Sequence, residues 1–359
     1  MKTIAIVGAF PPPVHGMAKN NLLISAEISS KAKVLKVNTS GNSLQRGIKY
    51  HLTRAIRCIQ SVLLIALKRP STVYMSMDGG LGILYNTLTI SSARLFAEKI
   101  VIHHRSFAYL DKRSLLARFA TIVAGKNCLH VFLCQCMRDR FFSLYNRKFR
   151  SIVVSNAKHT PPLEFKKRER IFEKLFIGHL SNLSFEKGLK EVIDTYEQLV
   201  EEGILNIKLI LAGPVENEAS EEFLNLAMLR NPKGIQYLGP VYDREKFSFY
   251  QSIDLFLFPT NYKNEAQPNV VFEALSHNVP VIATDRGCLR SDLSNTIAAA
   301  IFDRESFVSR TKQFIKEIIS SPETLEARRS AAHVFISAEH EKSRHDHNEL
   351  IMEILHETI

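Results

Sequence analysis

Residues 255–287, LFLFPTNYKNEAQPNVVFEALSHNVPVIATDRG, constrain this chain more than any other stretch. Leu255–Phe258 is a short apolar run that stops at Pro259, the pattern of a buried strand. A polar loop runs through residues 260–267. Pro268 suits a helix entrance, where its missing N–H costs nothing. Val271, Ala274 and Leu275 then give an apolar stripe at i, i+3 and i+4, and Asn278 stops the helix. Residues 279–284 form a second buried strand. The unit is β-loop-α-β, with its loop at the carboxyl end of a strand, where open α/β sheets bind ligands. Glu265 lies in that loop and Glu273 about one turn into the helix. The helix N-terminus between them offers free N–H groups to an anion.

The same alternation runs through the chain and predicts an α/β protein. Strands are expected at residues 3–9, 34–37, 72–77, 99–102, 130–134 and 151–155, and again at 174–177, 207–212, 235–238 and 255–258. Between the two sets, residues 157–170 (AKHTPPLEFKKRER) are proline-bearing and charged, the composition of a linker. With 359 residues there is room for two domains. We expect them at 1–160 and 171–335, followed by a polar C-terminal helix over 336–359.

A formal net charge of +11 points to an anionic partner. No nucleic-acid motif accompanies it, which leaves a membrane surface or a phosphorylated substrate. The N-terminal MKTIAIVGAF is too short an apolar run for a signal peptide, and no uncharged apolar run reaches spanning length. A cytoplasmic chain is the expectation. Residues 46–69 carry Ile48, Leu52, Ile56 and Ile59 near helical spacing, with Lys49, Arg54 and Arg57 between them. Two readings stand: a helix packed on a sheet with a solvated basic face, or a face that docks on anionic lipid through those bases. Five cysteines show no paired spacing for zinc. His345-Asp346-His347 point different ways on a helix and read as solvent-exposed.

The 255–287 unit resembles the signature of the retaining glycosyltransferases of family GT4: E-x7-E, here Glu265-AQPNVVF-Glu273, followed by the strand PVIAT from Pro280. The resemblance covers nearly the whole chain and is strongest over residues 175–287. It implies the GT-B fold, two Rossmann-like domains facing a central cleft, with the C-terminal helix crossing back onto the first domain.

It also implies roles. Glu265 holds donor-sugar hydroxyls, and Glu273 the ribose hydroxyls. The motif G-R-L-x-x-x-K-G stands here as Ser181-Asn182-Leu183-SFE-Lys187-Gly188. Lys187 matches the family's phosphate-binding lysine, and Asn182 occupies the place of its arginine, a neutral group where a charged fork is usual. Arg286 or Arg105 is then a candidate for the missing charge. Gly213, Asn269 and Val270 fall among the donor contacts. Gly16, with His15 in the place of a first glycine, forms the first strand-to-helix turn, beside phosphate or acceptor. His103 and His104, ending the 99–102 strand, compete for the place beside the reacting carbon; His103 has the better register to Phe107. Gly79, Gly80 and Gly82 form a turn into a helix, spaced unlike a dinucleotide loop.

The expected activity is transfer of a sugar from a nucleotide diphosphate sugar, UDP-sugar favoured, to an acceptor hydroxyl with retained configuration. The expected acceptor is a glycan or lipid-linked glycan of lipopolysaccharide, O-antigen or capsule assembly, met at the cytoplasmic face of the inner membrane. No D-x-D motif is present, so neither a metal nor another cofactor is expected, and no nucleic-acid partner. A sugar-nucleotide epimerase of the same fold and a non-catalytic sugar-nucleotide or glycan-binding subunit are the alternatives.

Overall fold

The computed structural model describes residues 2–12, 16–41, 48–165 and 174–356. The chain divides into two compact units. The first is Met1–Ser155 together with Lys263–Gln267 and Ser343–Ile359; the second is Asn156–Tyr262 with Pro268–Lys342. Each is built on a six-stranded parallel sheet.

In the first unit the strands are β1 (Thr3–Gly8), β2 (Lys33–Asn38), β3 (Thr72–Met77), β4 (Lys99–His104), β5 (Leu129–Phe132) and β6 (Ser151–Val153). Their order is β2-β1-β3-β4-β5-β6. β3 is buried at every position, as a strand covered on both faces must be. On one face Ile4, Ile6, Tyr74, Val101 and Val131 pack against Ile24 and Ile28 of the helix Gly16–Ser29. Leu350, Ile351 and Ile354 of the C-terminal helix close the same core. Right-handed crossovers place the helices Ile48–Lys68, Gly82–Phe96 and Leu115–Ala124 together on the opposite face, where they pack side by side.

In the second unit the strands are β7 (Leu175–Leu180), β8 (Ile207–Ala212), β9 (Ile235–Tyr237), β10 (Leu255–Phe258), β11 (Val281–Thr284) and β12 (Ala299–Phe302). The order β12-β11-β10-β7-β8-β9 reverses between β7 and β10, so the ligand crevice is expected at their carboxyl ends. Leu189, Val192, Ile193, Tyr196 and Leu199 of the helix Leu189–Glu201 bury one stripe against Leu209, Leu211 and Leu257.

Three sequence expectations need correction. The C-terminal helix begins well before residue 336 and runs unbroken over Pro322–Leu355, because residues 333–338 contain neither proline nor glycine. His347 is buried against Glu27 at 2.6 Å, while His345 is exposed. Of the three basic residues singled out in the helix Ile48–Lys68, two are engaged within the unit, and only Lys49 is exposed. Arg54 turns inward to Asp78 at 2.6 Å and Arg57 donates to the Ser40 carbonyl. Leu52, Ile56 and Ile59 are exposed. Residues 42–47, with part of this segment, and His15 lie outside the described residues.

Each unit also buries a neutral histidine. Burial pushes His130 in the first unit down to about 3, with Arg147 adding to the effect. Burial likewise pushes His179 in the second unit down to about 4. Once unfolded, both rings take protons near pH 6.5. The unfolded chain therefore binds more protons between about pH 4 and 6.5, and stability rises with pH across that window. Each histidine is expected to cost about 2 kcal/mol of stability between pH 7 and 5. Thermal melts at the two pH values test this, and an unchanged midpoint contradicts it.

Candidate active site

In the first unit, the strand pleat decides between the two histidines. Successive residues of β4 point to opposite faces, so His103 and His104 part company. His104 is fully buried, stacked on Phe132 with centroids 4.5 Å apart, and both ring nitrogens are engaged. One meets the Tyr109 hydroxyl at 2.8 Å and the other His130 at 2.9 Å. Burial, reinforced by His130, holds its pKa well below the usual histidine range. His104 is thus a core residue, which corrects its candidacy for a catalytic role. The Nδ1 of His103 accepts from the Tyr74 hydroxyl at 2.7 Å and from Arg105 Nη2 at 3.2 Å. These bonds leave the proton of a neutral ring on Nε2. Arg105 is buried and committed here, 3.5 Å from the Tyr74 hydroxyl.

The segment Lys263–Gln267, which carries Glu265, packs within this first unit. Ser106 Oγ donates to Asn264 Oδ1 at 2.9 Å, just past the end of β4. Gln267 Nε2 donates to the Leu133 carbonyl at 3.1 Å, after β5, and its Oε1 accepts from Ser155 at 3.3 Å, after β6. Ala266 between them is buried. Gly79 makes room for the loop: a Cβ there would lie 2.0 Å from Asn264 Oδ1 and 2.6 Å from Ser106 Oγ. Glu265, half-buried, is therefore fixed by neighbours on both sides. Beside it in topology, Asn21 joins the ends of β1 and β3, donating to the Ala9 carbonyl at 2.9 Å and accepting from Ser76 at 2.7 Å. Gly16 opens its helix and is exposed.

In the second unit, the carboxyl ends of β7 and β10 meet tightly. A Cβ on Gly188 would lie 2.4 Å from the Pro259 carbonyl oxygen, so only glycine, at φ +87°, lets the helix entrance approach. The Asn261 N–H donates to the Glu186 carbonyl at 2.8 Å. His179 ties the same strands, its Nδ1–H donating to the Leu257 carbonyl at 2.8 Å while Nε2 accepts from Ser181 at 2.9 Å. Lys187 sits 4.2 Å above the Tyr262 ring, and Arg286 Nε donates to the Tyr262 carbonyl at 3.1 Å. Two cations thus share one tyrosine at the sheet's switch point. Asn182 is exposed beside Leu183. Gly213, at φ +111°, is pressed against the Ser181 carbonyl, where a Cβ would lie 1.8 Å away.

Glu273 is buried in the helix Asn269–Ser276. Its Oε2 meets Lys246 at 2.5 Å and accepts from the Tyr250 hydroxyl at 3.1 Å, and that hydroxyl also lies 3.1 Å from the Val270 carbonyl. Burial first, and then the Glu273 charge, raises the Tyr250 pKa well above its usual value, so it remains a donor. Asn269 Oδ1, at the same helix entrance, is buried without a hydrogen-bond partner among the described residues. Sequence reasoning missed Lys246, Tyr250 and Tyr262; none of them sits in a motif, and only the fold brings them to a motif residue. Among the described residues no cluster of His, Cys, Asp or Glu is arranged to hold a metal ion.

Residues 162–334 match the family described as Glycosyl transferases group 1. A capsular polysaccharide biosynthesis glycosyltransferase, CapM of Staphylococcus aureus, is 31% identical over 123 residues, 34% of this chain and 31% of CapM. An uncharacterized glycosyltransferase of Methanocaldococcus jannaschii is 33% identical over 126 residues, 34% of this chain and 29% of that one. The matched stretch thus spans about a third of these relatives' length. Among solved structures, Anabaena HepE in complex with UDP aligns over 98% of this chain and 100% of its own, with TM-score 0.72 at 15% identity. Sucrose-phosphate synthase from Thermosynechococcus elongatus aligns over 99% of both chains, with TM-score 0.74 at 12% identity. The fold is that of the GT-B glycosyltransferases, two Rossmann-like domains. Residues 162–334 thus carry a domain of the Glycosyl transferases group 1 type.

Proposed function

We propose that this chain transfers a glycosyl unit from a nucleotide diphosphate sugar, UDP-sugar favoured, to an acceptor hydroxyl with retained anomeric configuration. The observation that carries the reading is the pairing of Lys187 and Arg286 on Tyr262 at the switch point of the second sheet, within the group 1 domain. A departing nucleoside diphosphate gains negative charge, and preorganised cations and N–H groups stabilise that charge at little reorganisation cost. Lys187, Arg286 and the free N–H groups before Val271 supply them. Arg286 takes the part the family gives to the residue at Asn182. Glu273 receives the ribose hydroxyls, its carboxylate held in place by Lys246 and Tyr250. Glu265 holds the sugar, and His103, with its proton on Nε2, donates near the reacting carbon.

The UDP and UDP-glucose complexes of HepE support the choice of base, and CapM supports a surface-polysaccharide acceptor. We place the reaction in capsule, O-antigen or lipopolysaccharide assembly, on a lipid-linked glycan at the cytoplasmic face of a membrane, without a metal. Thermal-shift measurements with UDP, GDP, ADP, CMP and dTDP, each with and without magnesium, test the donor site. One nucleotide at a hundred times its Kd adds about 2.7 kcal/mol of stability. Selective stabilisation by UDP in the absence of magnesium is the expected result. Stabilisation only in the presence of magnesium would overturn the metal-free mechanism, and stabilisation by none of the five would overturn the donor site.

A further inference from the structure

The layer formed by the helices Ile48–Lys68, Gly82–Phe96 and Leu115–Ala124 turns three apolar ridges outward. Leu52, Ile56, Ile59, Leu63 and Leu67 follow one another at helical spacing on the first helix, with Leu67 78% exposed. Leu84, Leu88 and Leu95 form the ridge of the second, with Leu95 76% exposed. Leu115, Phe119 and Ile122 form that of the third, with Leu115 75% exposed. The middle helix packs against both neighbours, so the ridges are adjacent. Scattered exposed leucines are ordinary, but a contiguous apolar face of this kind marks an interaction surface.

Charge names the occupant. Residues 1–155 hold 23 Lys and Arg against 5 Asp and Glu, a formal +18, whereas residues 156–359 hold 24 against 31. Across residues 48–126 there are twelve basic side chains and three acidic ones, Asp78, Glu98 and Asp111. Arg54 neutralises Asp78 internally. Exposed bases gather where the three helices end. Arg69 lies 5.8 Å from the centre of the Phe96 ring, the Arg94 guanidinium lies against Gly125, and Lys68 and Lys126 are exposed beside them. Lys49, Lys112 and Arg113 are exposed towards the other end of the layer. An apolar layer edged with cations fits the boundary between acyl chains and anionic headgroups, where buried apolar area and electrostatic attraction act together.

We infer that this three-helix face docks the chain on an anionic lipid monolayer, its leucine ridges entering the acyl boundary and its terminal Lys and Arg meeting the headgroups. The docking rests on the proposed membrane-face reading, for which it names the surface, and uses none of the residues assigned to the donor.

The chain contains no tryptophan, so one introduced indole reports its own surroundings. Leu88→Trp and, as a control in the second unit, exposed Tyr242→Trp are mixed with vesicles of phosphatidylglycerol and phosphatidylethanolamine carrying brominated acyl chains. The indole at position 88 is expected to shift to the blue and be quenched, while that at 242 is unchanged. Leu84→Ser with Phe119→Ser lowers sedimentation with the same vesicles at least tenfold, at an unchanged UDP thermal shift. Lys68→Glu with Arg69→Glu lowers it severalfold at low salt. Unquenched indole at position 88 overturns the inference, as does equal binding to vesicles of phosphatidylcholine alone. A concentration-dependent dimer that Leu84→Ser with Phe119→Ser disperses, with no sedimentation on vesicles, overturns it in favour of a second copy of the chain.

Discussion

Replacing Glu265 with alanine is expected to lower kcat about a thousandfold, near 4 kcal/mol of transition-state stabilisation, in the range measured when one preorganised group is removed from a reacting centre. The size of the effect follows from how the carboxylate is held. Its neighbours Asn264 and Gln267 are each tied by hydrogen bonds, to Ser106 on one side and to Leu133 and Ser155 on the other. A group fixed in this way loses little entropy when substrate arrives, so its interaction is available to the transition state. Glu273→Ala is expected to behave differently, raising the donor KM with a smaller change in kcat, because ribose contacts are the same before and during transfer. Steady-state kinetics on both variants separates the roles. Full turnover by Glu265→Ala would remove this residue from the mechanism.

Lys187→Ala is the second large effect, expected at about a hundredfold in kcat/KM, close to 2.7 kcal/mol. Its ammonium lies at the entrance of the helix Leu189–Glu201, where the free N–H groups already favour an anion, so loss of the charge removes the strongest local attraction for a diphosphate. Arg286→Ala should cost about tenfold, since the guanidinium flanks the same Tyr262. The two together identify which base stands in for the family's arginine. If Arg286 fills that part, introducing Asn182→Arg into Arg286→Ala restores donor affinity, because the 182 side chain is exposed and free to place a charged fork. Failure of Asn182→Arg to improve Arg286→Ala, with Arg286→Ala itself near wild type, would count against this arrangement.

Much of the fold could be read directly. Parallel buried strands are short apolar runs with breakers at their ends, and eleven of the twelve strands follow from them; the edge strand β12, Ala299–Phe302, was missed. The turns that carry Lys187, Glu265 and Glu273 were legible because E-x7-E, Gly188 and Pro268 are local features, each set by one strand-to-helix turn. The remainder depends on partners far along the chain. His103 and His104 are both buried, and only the fold shows that the pleat turns the first to Tyr74 and Arg105 and the second to Phe132 and Tyr109. Periodicity found the face shared by Leu52, Ile56 and Ile59, but it does not say which side of a helix faces in. Asp78 and the Ser40 carbonyl drew Arg54 and Arg57 inward and left the leucines outside. Lys246 and Tyr250 carry no motif; the helix Asp243–Ser252 simply delivers them to Glu273.

The makeup of the first unit bears on how the chain is born. Leu350, Ile351 and Ile354 complete the core begun by Ile4 and Ile6, so the first sheet gains its last cover only when the final helix has been made. Roughly 190 residues separate Ser155 from Ser343, and at about 5–20 residues per second a ribosome needs about 10–40 s to deliver them. For that interval the nascent sheet presents Tyr74, Val101 and Val131 without those partners. This is a period in which a chaperone has reason to bind, and in which a truncation near the C-terminus would do its damage at the opposite end of the sequence.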